Sequence, residues 1–347
     1  MGETRIGVDV GGTFTDVALL TEDDELVTAK VPSTDDQSVG VIDGIEKACA
    51  AADVDPGEVD AFTHAMTVSV NALLEEDGAK TALVTTAGFR DVLEIGRQAR
   101  PDLYDVSADK PSPLVPRRRR FEVTERTTVD GVREAVDPDE VRDVADAIRA
   151  TGAESVAISL LHAYRHPENE QVVAETLREE LDVPVSASSE VLAEFREYER
   201  TSTTVVDAYV TPAIDAYLGR LEERSADLGV PVPHVMQANG GIAPAETVRR
   251  HAVTTSMSGP AAGVVGAAET AGTDDLDGLV TFDMGGTSSD VSLVREGEIA
   301  RTTNAAINGR PIKTPMVDVN TVGAGGGSVA WVDAGDALRV GPRSAGA

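Results

Sequence analysis

The sequence predicts an α/β fold with an internal duplication, because a stretch of nine residues occurs twice. Asp9–Val17 reads DVGGTFTDV and Asp283–Val291 reads DMGGTSSDV, at a constant offset of 274 residues. Each copy also lies between two apolar stretches that are typical of β-strands. A glycine-rich turn between two strands forms a tight β-hairpin, so we expect the same hairpin at both places.

The remaining elements follow from hydrophobic periodicity and from the positions of glycine and proline. Three strands over 5–31 are predicted to form a meander. Helices and strands then alternate, as in an α/β protein: helix 37–52, strand 60–63, helix 66–77, strand 81–85, short helix 88–96, helix 138–150, strand 155–160, helix 167–181, strand 184–186, amphipathic helix 200–228, strand 235–237 and a helix from Ser258.

One long segment, residues 98–136, is predicted to be irregular. Prolines interrupt it repeatedly, and it contains a run of four arginines over 117–120. We expect this run to be a solvated loop paired with nearby acidic residues, and phosphate binding is the alternative.

The composition narrows the class of protein and partner. The 347 residues include 60 acidic and 30 basic side chains, which gives a net charge of −30. Such a surface repels nucleic acid and anionic membranes, and its scarcity of lysine is typical of adaptation to high salt. The single cysteine, Cys49, excludes internal disulfides and CxxC zinc sites and is expected in the core. Since neither a signal peptide nor a long apolar run is visible, we expect a cytoplasmic protein.

Both glycine-rich turns have the residue types that bind phosphate. Glycine permits positive φ and lets backbone N–H groups approach an anion, and an Asp at the end of the first strand can hold hydrated Mg²⁺. We therefore predict Asp9 and Asp283 as metal-binding and catalytic carboxylates. The predicted phosphate-binding positions, whose threonines are also catalytic candidates, are Gly11, Gly12, Thr13, Gly285, Gly286 and Thr287. Two such loops facing each other would form a clamp on one nucleotide.

Several further residues are predicted at the same cofactor site. They are Thr15, Asp16, Ser288, Gly325, Gly326 and Gly327. For Asp16 and its counterpart Asp290, orientation of the loop and capping of the turn explain the carboxylate equally well. The P-loop and dinucleotide fingerprints are excluded, because no GxxxxGK[ST] occurs and neither hairpin motif opens directly into a helix.

Five further motifs narrow the class of fold. They are THAMTVSVNALLE at 63–75, GFRDVLEIGRQ at 88–98, REYERT at 196–201, SGPAAG at 258–263 and TVGAGGGS at 321–328. The meander with its hairpin resembles the actin-like ATPase fold, which is ribonuclease H-like. Together with both hairpins, the motifs resemble the A subunit of the hydantoinase/5-oxoprolinase family, which also includes a subunit of acetone carboxylase. The resemblance covers nearly the whole chain.

The resemblance implies an enzyme that uses ATP and Mg²⁺ to open a cyclic amide such as a hydantoin or 5-oxoproline. Phosphorylation of the carbonyl oxygen makes it a good leaving group, after which water attacks the activated carbon. The carboxylase relatives imply ATP-dependent carboxylation as an alternative. The resemblance also implies a B-type subunit as the partner, and assembly into a hetero- or homo-oligomer.

The resemblance also implies substrate-side residues: His64, Thr67, Asn71, Arg97 and Arg200. A helix cap explains the first three equally well, and ion pairs with neighbouring glutamates explain the arginines nearly as well. The chain departs from the family's usual sequence at two places. Ala65–Thr67 stands where relatives usually have Gly-Thr-Thr, and Asn320 stands where they often have His. These departures put the identity of the substrate in doubt.

We expect two domains, 1–190 with the first hairpin and 191–347 with the second. The second lobe is expected to be incomplete, because relatives continue well past residue 347 and few residues follow the second hairpin. Two other classes of function remain open: a hexokinase-type sugar kinase and a non-catalytic binding lobe.

Overall fold

The computed structural model describes residues 2–99, 101–105, 107–272 and 278–345. Within these residues the strands are β1 (Arg5–Val10), β2 (Phe14–Leu20), β3 (Leu26–Pro32), β4 (Ala61–Ala65), β5 (Thr81–Thr86), β6 (Arg120–Val123), β7 (Arg126–Thr128), β8 (Gly131–Glu134), β9 (Ser155–Ser159), β10 (Val185–Ala187), β11 (His234–Met236), β12 (Ile242–Pro244), β13 (Gly278–Met284), β14 (Ser289–Arg295), β15 (Glu298–Ile299), β16 (Arg301–Thr302), β17 (Ala305–Ile307), β18 (Arg310–Ile312), β19 (Met316–Val317), β20 (Val319–Val322), β21 (Ser328–Val332) and β22 (Leu338–Ser344).

The α-helices of the same residues are α1 (Gln37–Ala52), α2 (Val68–Leu74), α3 (Val92–Ile95), α4 (Pro138–Thr151), α5 (Glu168–Glu180), α6 (Ser188–Val191), α7 (Glu197–Leu228), α8 (Ala245–Arg250) and α9 (Ser258–Ala271). Short 3₁₀ helices cover Pro56–Glu58, Arg117–Arg119 and Ala252–Thr255.

The main sheet has six strands in the order β12-β11-β4-β1-β2-β3. Strands β1, β2 and β3 form the predicted antiparallel meander, while β4 is parallel to β1 and β11 is parallel to β4. Its core contains Ile6, Val8 and Val10 from β1, with side chains of α1 and α7. Cys49 lies in this core, as predicted. Strands β11 and β12 follow residue 190, so the sheet draws on both predicted domains.

A second sheet, with the order β10-β9-β5-β6, is entirely parallel. Its last strand corrects the prediction that 98–136 is irregular, because β6 pairs with β5 and the small β7–β8 hairpin follows it. These strands have only three or four residues, too few to show a period among charged side chains.

Helix α7 lies between the two sheets. Side chains of its N-terminal half join the cores of both, and every residue over 200–211 is buried. Because this half is enclosed on all sides, it has no solvent-exposed face, and the predicted amphipathic pattern is wrong for it.

The second hairpin forms a smaller sheet in which β14 pairs with β13, β15 and β20. Helix α9 covers one face, where Ala261, Val264 and Ala268 pack with Val294 and Val317. The opposite face carries Val280, Phe282 and Met284 of β13, which are 56–61% exposed.

Candidate nucleotide-binding site

The two glycine-rich turns have the same backbone geometry. In the first hairpin Asp9 lies opposite Asp16, and in the second Asp283 lies opposite Asp290. The Gly11 N–H donates to the Phe14 carbonyl oxygen at 2.9 Å, and the corresponding bond from Gly285 to Ser288 is also 2.9 Å. The duplication predicted from the sequence is thus confirmed at the level of register and turn.

Helix α9 brings the two Asp side chains together. A Cβ built on Gly259 would lie 3.3 Å from Asp9 Oδ1, and one on Gly263 would lie 3.7 Å from Asp283 Oδ2. Residues four apart lie on the same face of a helix. The first turns of α9 therefore contact one carboxylate from each hairpin, and at Gly259, the tighter contact, there is little room for a side chain.

The electrostatics of Asp9 reflect this convergence. Its pKa is raised to about 6, mainly by burial and then by the like charges of Asp16 and Asp283, while Lys30 opposes the shift. Lys30 Nζ lies 2.7 Å from Asp16 Oδ1. Since like charges disfavour ionisation only at short range, the two hairpins present their carboxylates to one shared space.

The glycines of the turns do not adopt positive φ, and a Cβ would crowd the backbone only at Gly11. Gly11, Gly12 and Gly285 have no left-handed backbone conformation, which corrects the predicted reason for them. A Cβ on Gly11 would lie 3.2 Å from the Phe14 carbonyl oxygen. At Gly12 a Cβ would meet nothing within 4 Å, and Thr13 and Thr287 are exposed. The tips of both hairpins are thus open to a ligand.

Two groups of residues that were predicted to bind the cofactor contact other parts of the protein instead. Thr15 is fully buried beside Ser33. In the loop 323–327 the Gly326 and Gly327 N–H groups donate to the carbonyl oxygens of Gly285 and Gly286, at 2.9 and 2.8 Å. The Gly325 N–H donates to Ser328 Oγ. This third glycine-rich loop therefore braces the second hairpin, and its N–H groups are engaged with the protein.

The first predicted substrate residue, His64, lies in the core. It is completely buried on β4, its Nε2 is 2.7 Å from the Tyr217 hydroxyl, and burial lowers its pKa to about 4. The imidazole is therefore neutral at physiological pH and packed between elements of the main sheet and α7. These surroundings agree with a structural role.

Thr67 and Asn71, at the start of α2, lie next to the hairpin cleft, the space that Asp9 and Asp283 of the two hairpins share. Asn71 Nδ2 donates to Thr67 Oγ1 at 3.4 Å, and the Thr67 side chain makes no capping bond to the helix. The preceding Met66 accepts a hydrogen bond from Ser258 Oγ at 3.0 Å. Because Ser258 opens α9, this turn is adjacent to the Gly259 contact with Asp9.

The two predicted arginines differ. Arg200 is 2% exposed and donates to Ser188 Oγ and to the carbonyl oxygens of Leu160 and Glu194. It therefore holds the start of α7 and does not face a cleft. Arg97 is half exposed, and both its Nε and Nη2 donate to the carboxylate of Glu199. For Arg97 the structure therefore shows the ion pair with a neighbouring glutamate that was the alternative to substrate binding.

Comparisons with known proteins agree with this geometry. A family model described as the hydantoinase/oxoprolinase N-terminal region matches residues 5–181, and a hydantoinase/oxoprolinase model matches residues 200–347. The chain belongs to the hydantoinase/oxoprolinase family. The expected resemblance is thereby confirmed.

Curated relatives within this family are enzymes of different specificity. The chain is 36% identical to the caprolactamase subunit alpha of Pseudomonas jessenii over 99% of its own length and 51% of that protein. It is 34% identical to 5-oxoprolinase 1 of Arabidopsis thaliana, over 100% of this chain and 30% of that one. The chain therefore spans about half or less of the length of these relatives.

Two solved structures share the fold. The ATP-dependent caprolactamase of Pseudomonas jessenii has a TM-score of 0.90 at 35% identity, over 99% of this chain and 51% of that one. Nucleotide-free acetone carboxylase has a TM-score of 0.84 at 28% identity, over 100% and 52%. The α/β fold of the family is thus shown directly.

Sequence reasoning missed the residues that join the hairpins. Ser258, Gly259 and Gly263 belong to the motif SGPAAG, which the sequence analysis used only to narrow the class of fold. The structure shows packing against both carboxylates, and the four-residue spacing of the glycines was the available signal. Among the described residues, no helix combines the length and apolar character that crossing a membrane requires.

Proposed function

We propose that this chain carries the nucleotide-binding part of an enzyme that opens a cyclic amide, such as a hydantoin or 5-oxoproline, at the expense of ATP. The observation that carries the proposal is the convergence of Asp9 and Asp283, from two matching hairpins, on the glycine face of α9. The relatives indicate the chemistry, since the solved caprolactamase of Pseudomonas jessenii is ATP-dependent. We also propose that the chain has the actin-like fold and the two domains expected from the sequence.

In the proposed site the hairpin tips bind phosphate oxygens. The backbone N–H groups of Gly12 and Gly286, with the hydroxyls of Thr13 and Thr287, would donate to the phosphates and neutralise charge that develops during transfer. These donors sit on strand ends braced by hydrogen bonds, so they need little reorganisation. Gly325–Gly327 act in this scheme as support for the second hairpin.

The carboxylates fit a hydrated Mg²⁺ rather than a protein cage. No group of three or more His, Cys, Asp or Glu side chains with metal-site geometry occurs within the described ranges. Mg²⁺ is commonly held by one or two carboxylates together with water and phosphate oxygens, and Asp9 and Asp283 match that requirement. When bound, the ion neutralises phosphate charge. Because the pKa of Asp9 is raised to about 6, this binding weakens as the pH falls through that value.

The chemistry requires activation of an amide carbonyl, which resonance makes a poor electrophile. Transfer of a phosphoryl group to the carbonyl oxygen provides a good leaving group, and water then attacks the carbon. Thr67 and Asn71 are the proposed substrate-side residues, because their turn contacts the start of α9 through Met66 and Ser258. Arg97 is retained as a further candidate, whereas the burial of His64 and Arg200 favours structural roles.

A B-type subunit is the proposed partner. Relatives include the caprolactamase subunit alpha and the acetone carboxylase beta subunit of Xanthobacter autotrophicus, which are named as subunits. The carboxylase names also support a second candidate function, ATP-dependent carboxylation of a ketone.

The proposal is tested by ATP hydrolysis of the chain purified with a B-type subunit. A panel of 5-oxoproline, hydantoin, caprolactam, acetone and glucose is assayed with and without bicarbonate. We expect one cyclic amide to stimulate ATP hydrolysis without bicarbonate, with one ring-opened product formed for each ADP. Stimulation only by a ketone with bicarbonate would support carboxylation instead. Phosphorylation of glucose, or no stimulation by any compound, would contradict ring opening.

A further inference from the structure

One serine, Ser33, holds the tip of the first hairpin at two points. It follows β3, and its backbone N–H donates to the Thr13 carbonyl oxygen at 2.9 Å. Its hydroxyl donates to the Gly11 carbonyl oxygen at 2.8 Å. These two carbonyl groups of the turn therefore point towards Ser33.

The direction of a carbonyl group fixes the direction of the next N–H group. In a planar trans peptide the C=O and N–H bonds point in opposite directions. The N–H groups of Gly12 and Phe14, which follow Gly11 and Thr13, therefore point away from Ser33. Within the part of the chain that the structure describes, the Gly12 N–H has no acceptor. A Cβ on Gly12 would meet nothing within 4 Å, so a ligand can reach this N–H group.

The second hairpin holds the equivalent carbonyl group with a different donor. Gly285 lies 274 residues after Gly11. Its carbonyl oxygen accepts the Gly326 N–H at 2.9 Å. The Gly286 N–H therefore points away from the loop 323–327, just as the Gly12 N–H points away from Ser33. Two chemically different donors thus give the same orientation to the same peptide in both hairpins.

The Ser33 hydroxyl is supported in turn from the core. Its oxygen lies 3.4 Å from the hydroxyl oxygen of Thr15, which is completely buried. Because the Ser33 proton is donated to Gly11, the Thr15 hydroxyl is the donor in this second contact. The contact accounts for the buried hydroxyl of Thr15, which the sequence pattern placed at the cofactor site.

We infer that Ser33 is a positioning residue of the proposed nucleotide site. It turns the N–H groups of Gly12 and Phe14 away from itself, and there they donate to the phosphate oxygens of a nucleotide. Backbone N–H groups that point the same way form a concave site for an anion. Ser33 touches no ligand and acts through the backbone of the turn. The inference rests on the proposed function for the identity of the ligand, a nucleotide polyphosphate.

The test removes the Ser33 hydroxyl and measures two ligands, Mg·ATP and inorganic tripolyphosphate, which lacks the nucleoside. Both are titrated into the 347-residue chain and followed by ligand-observed NMR, which measures weak affinities. Ser33→Ala should weaken both ligands by about fivefold to tenfold, as the loss of one hydrogen bond implies. Ser33→Thr keeps the hydroxyl and should bind both within about twofold of the wild-type chain. Ser107→Ala, the control, removes a hydroxyl that donates to Asp105 on an exposed loop and should change neither affinity.

A double-mutant cycle separates positioning from a general loss of stability. Thr15→Val removes the supporting hydroxyl and should weaken both ligands by about twofold. Added to Ser33→Ala it should weaken them no further, because it acts through a hydroxyl that is already absent. Thermal melting of each variant shows whether the fold is intact.

The inference is wrong if Ser33→Ala binds both ligands normally, if Ser33→Thr loses as much affinity as Ser33→Ala, or if the wild-type chain binds neither ligand. Loss of ATP affinity alone, with normal tripolyphosphate binding, would also contradict it. The measurement needs no ring opening and no partner subunit. A chain that shows these effects but opens no cyclic amide would refute the proposed function alone. Ring opening by a chain whose nucleotide affinity does not depend on Ser33 would refute this inference alone.

Discussion

The two hairpins have the same turn but bury opposite faces of their strands. In the first, Ile6, Val8 and Val10 are at most 3% exposed, against α1 and α7. The residues 274 positions later, Val280, Phe282 and Met284, are 56–61% exposed. Matching local sequence thus produced matching register and turn bonds, while the packing of each face was decided by distant elements.

The second hairpin is covered on the face that carries Asp283. Thr281, two residues earlier on the same face, is buried, and Val294 of β14 is 1% exposed beneath α9. In the first hairpin the corresponding face carries Gly7 and Asp9, and Asp9 meets α9 at Gly259. α9 thus covers the carboxylate-bearing face of the second hairpin and approaches that of the first only at Asp9, which local sequence could not show.

The largest expected effect comes from a matched pair of leucines 274 residues apart. Leu19 is fully buried and Leu293 is 42% exposed. Leu19→Ala leaves a cavity in the main core and should lower the free energy of unfolding by about 2–5 kcal/mol. Leu293→Ala should change it by about 0.5 kcal/mol, as at other surface positions. Urea denaturation followed by circular dichroism measures both.

Equal losses of unfolding free energy in the two leucine variants would contradict the difference in burial between the two hairpins. They would mean that the apolar face of the second hairpin is covered in solution as fully as that of the first. The wild-type chain measured at several concentrations serves as the control, because self-association on that face would make the midpoint depend on concentration.

A smaller effect is expected from the two glycines of α9. The Cβ of Gly259→Ala would lie 3.3 Å from Asp9 Oδ1, a tighter contact than the 3.7 Å that Gly263→Ala makes with Asp283 Oδ2. Gly259→Ala should therefore weaken binding of Mg·ATP by about fivefold, the lower end of overpacking costs, in the chain purified with the proposed B-type subunit. Gly263→Ala should have the smaller effect. The reverse order would show that α9 does not position the carboxylates.

Much of the fold was accessible from the sequence because its signals are local. The helix predicted over 37–52 has those bounds, and both hairpins follow from a turn motif between apolar strands. Strand β6 was missed because four residues with mixed charge show no period. The positions of His64 and Arg200 in the core could not be derived, because each depends on partners such as Tyr217 and Leu160 far along the chain.

The sequence predicted two hairpins that face each other, but not the helix that lies between them. The constant offset identified Asp9 and Asp283, yet only the structure shows that α9 joins them. The loop Gly325–Gly327 illustrates the limit, because its glycine content suggested phosphate contact, while its N–H groups brace Gly285 and Gly286. Whether a glycine loop faces a ligand or another loop is a tertiary property.

The central claim is that both hairpins bind one nucleotide, and a double-mutant cycle on Asp9 and Asp283 tests it most directly. Mg-dependent ATP hydrolysis is measured for the chain with the proposed B-type subunit. Asp9→Asn and Asp283→Asn should each lower the rate by about a hundredfold, and the double variant should be little worse, because residues that act as a unit are not additive. Asp24→Asn, in the β2–β3 turn, is the control and should retain full activity. Normal turnover of Asp283→Asn, or losses that multiply in the double variant, would contradict the shared site.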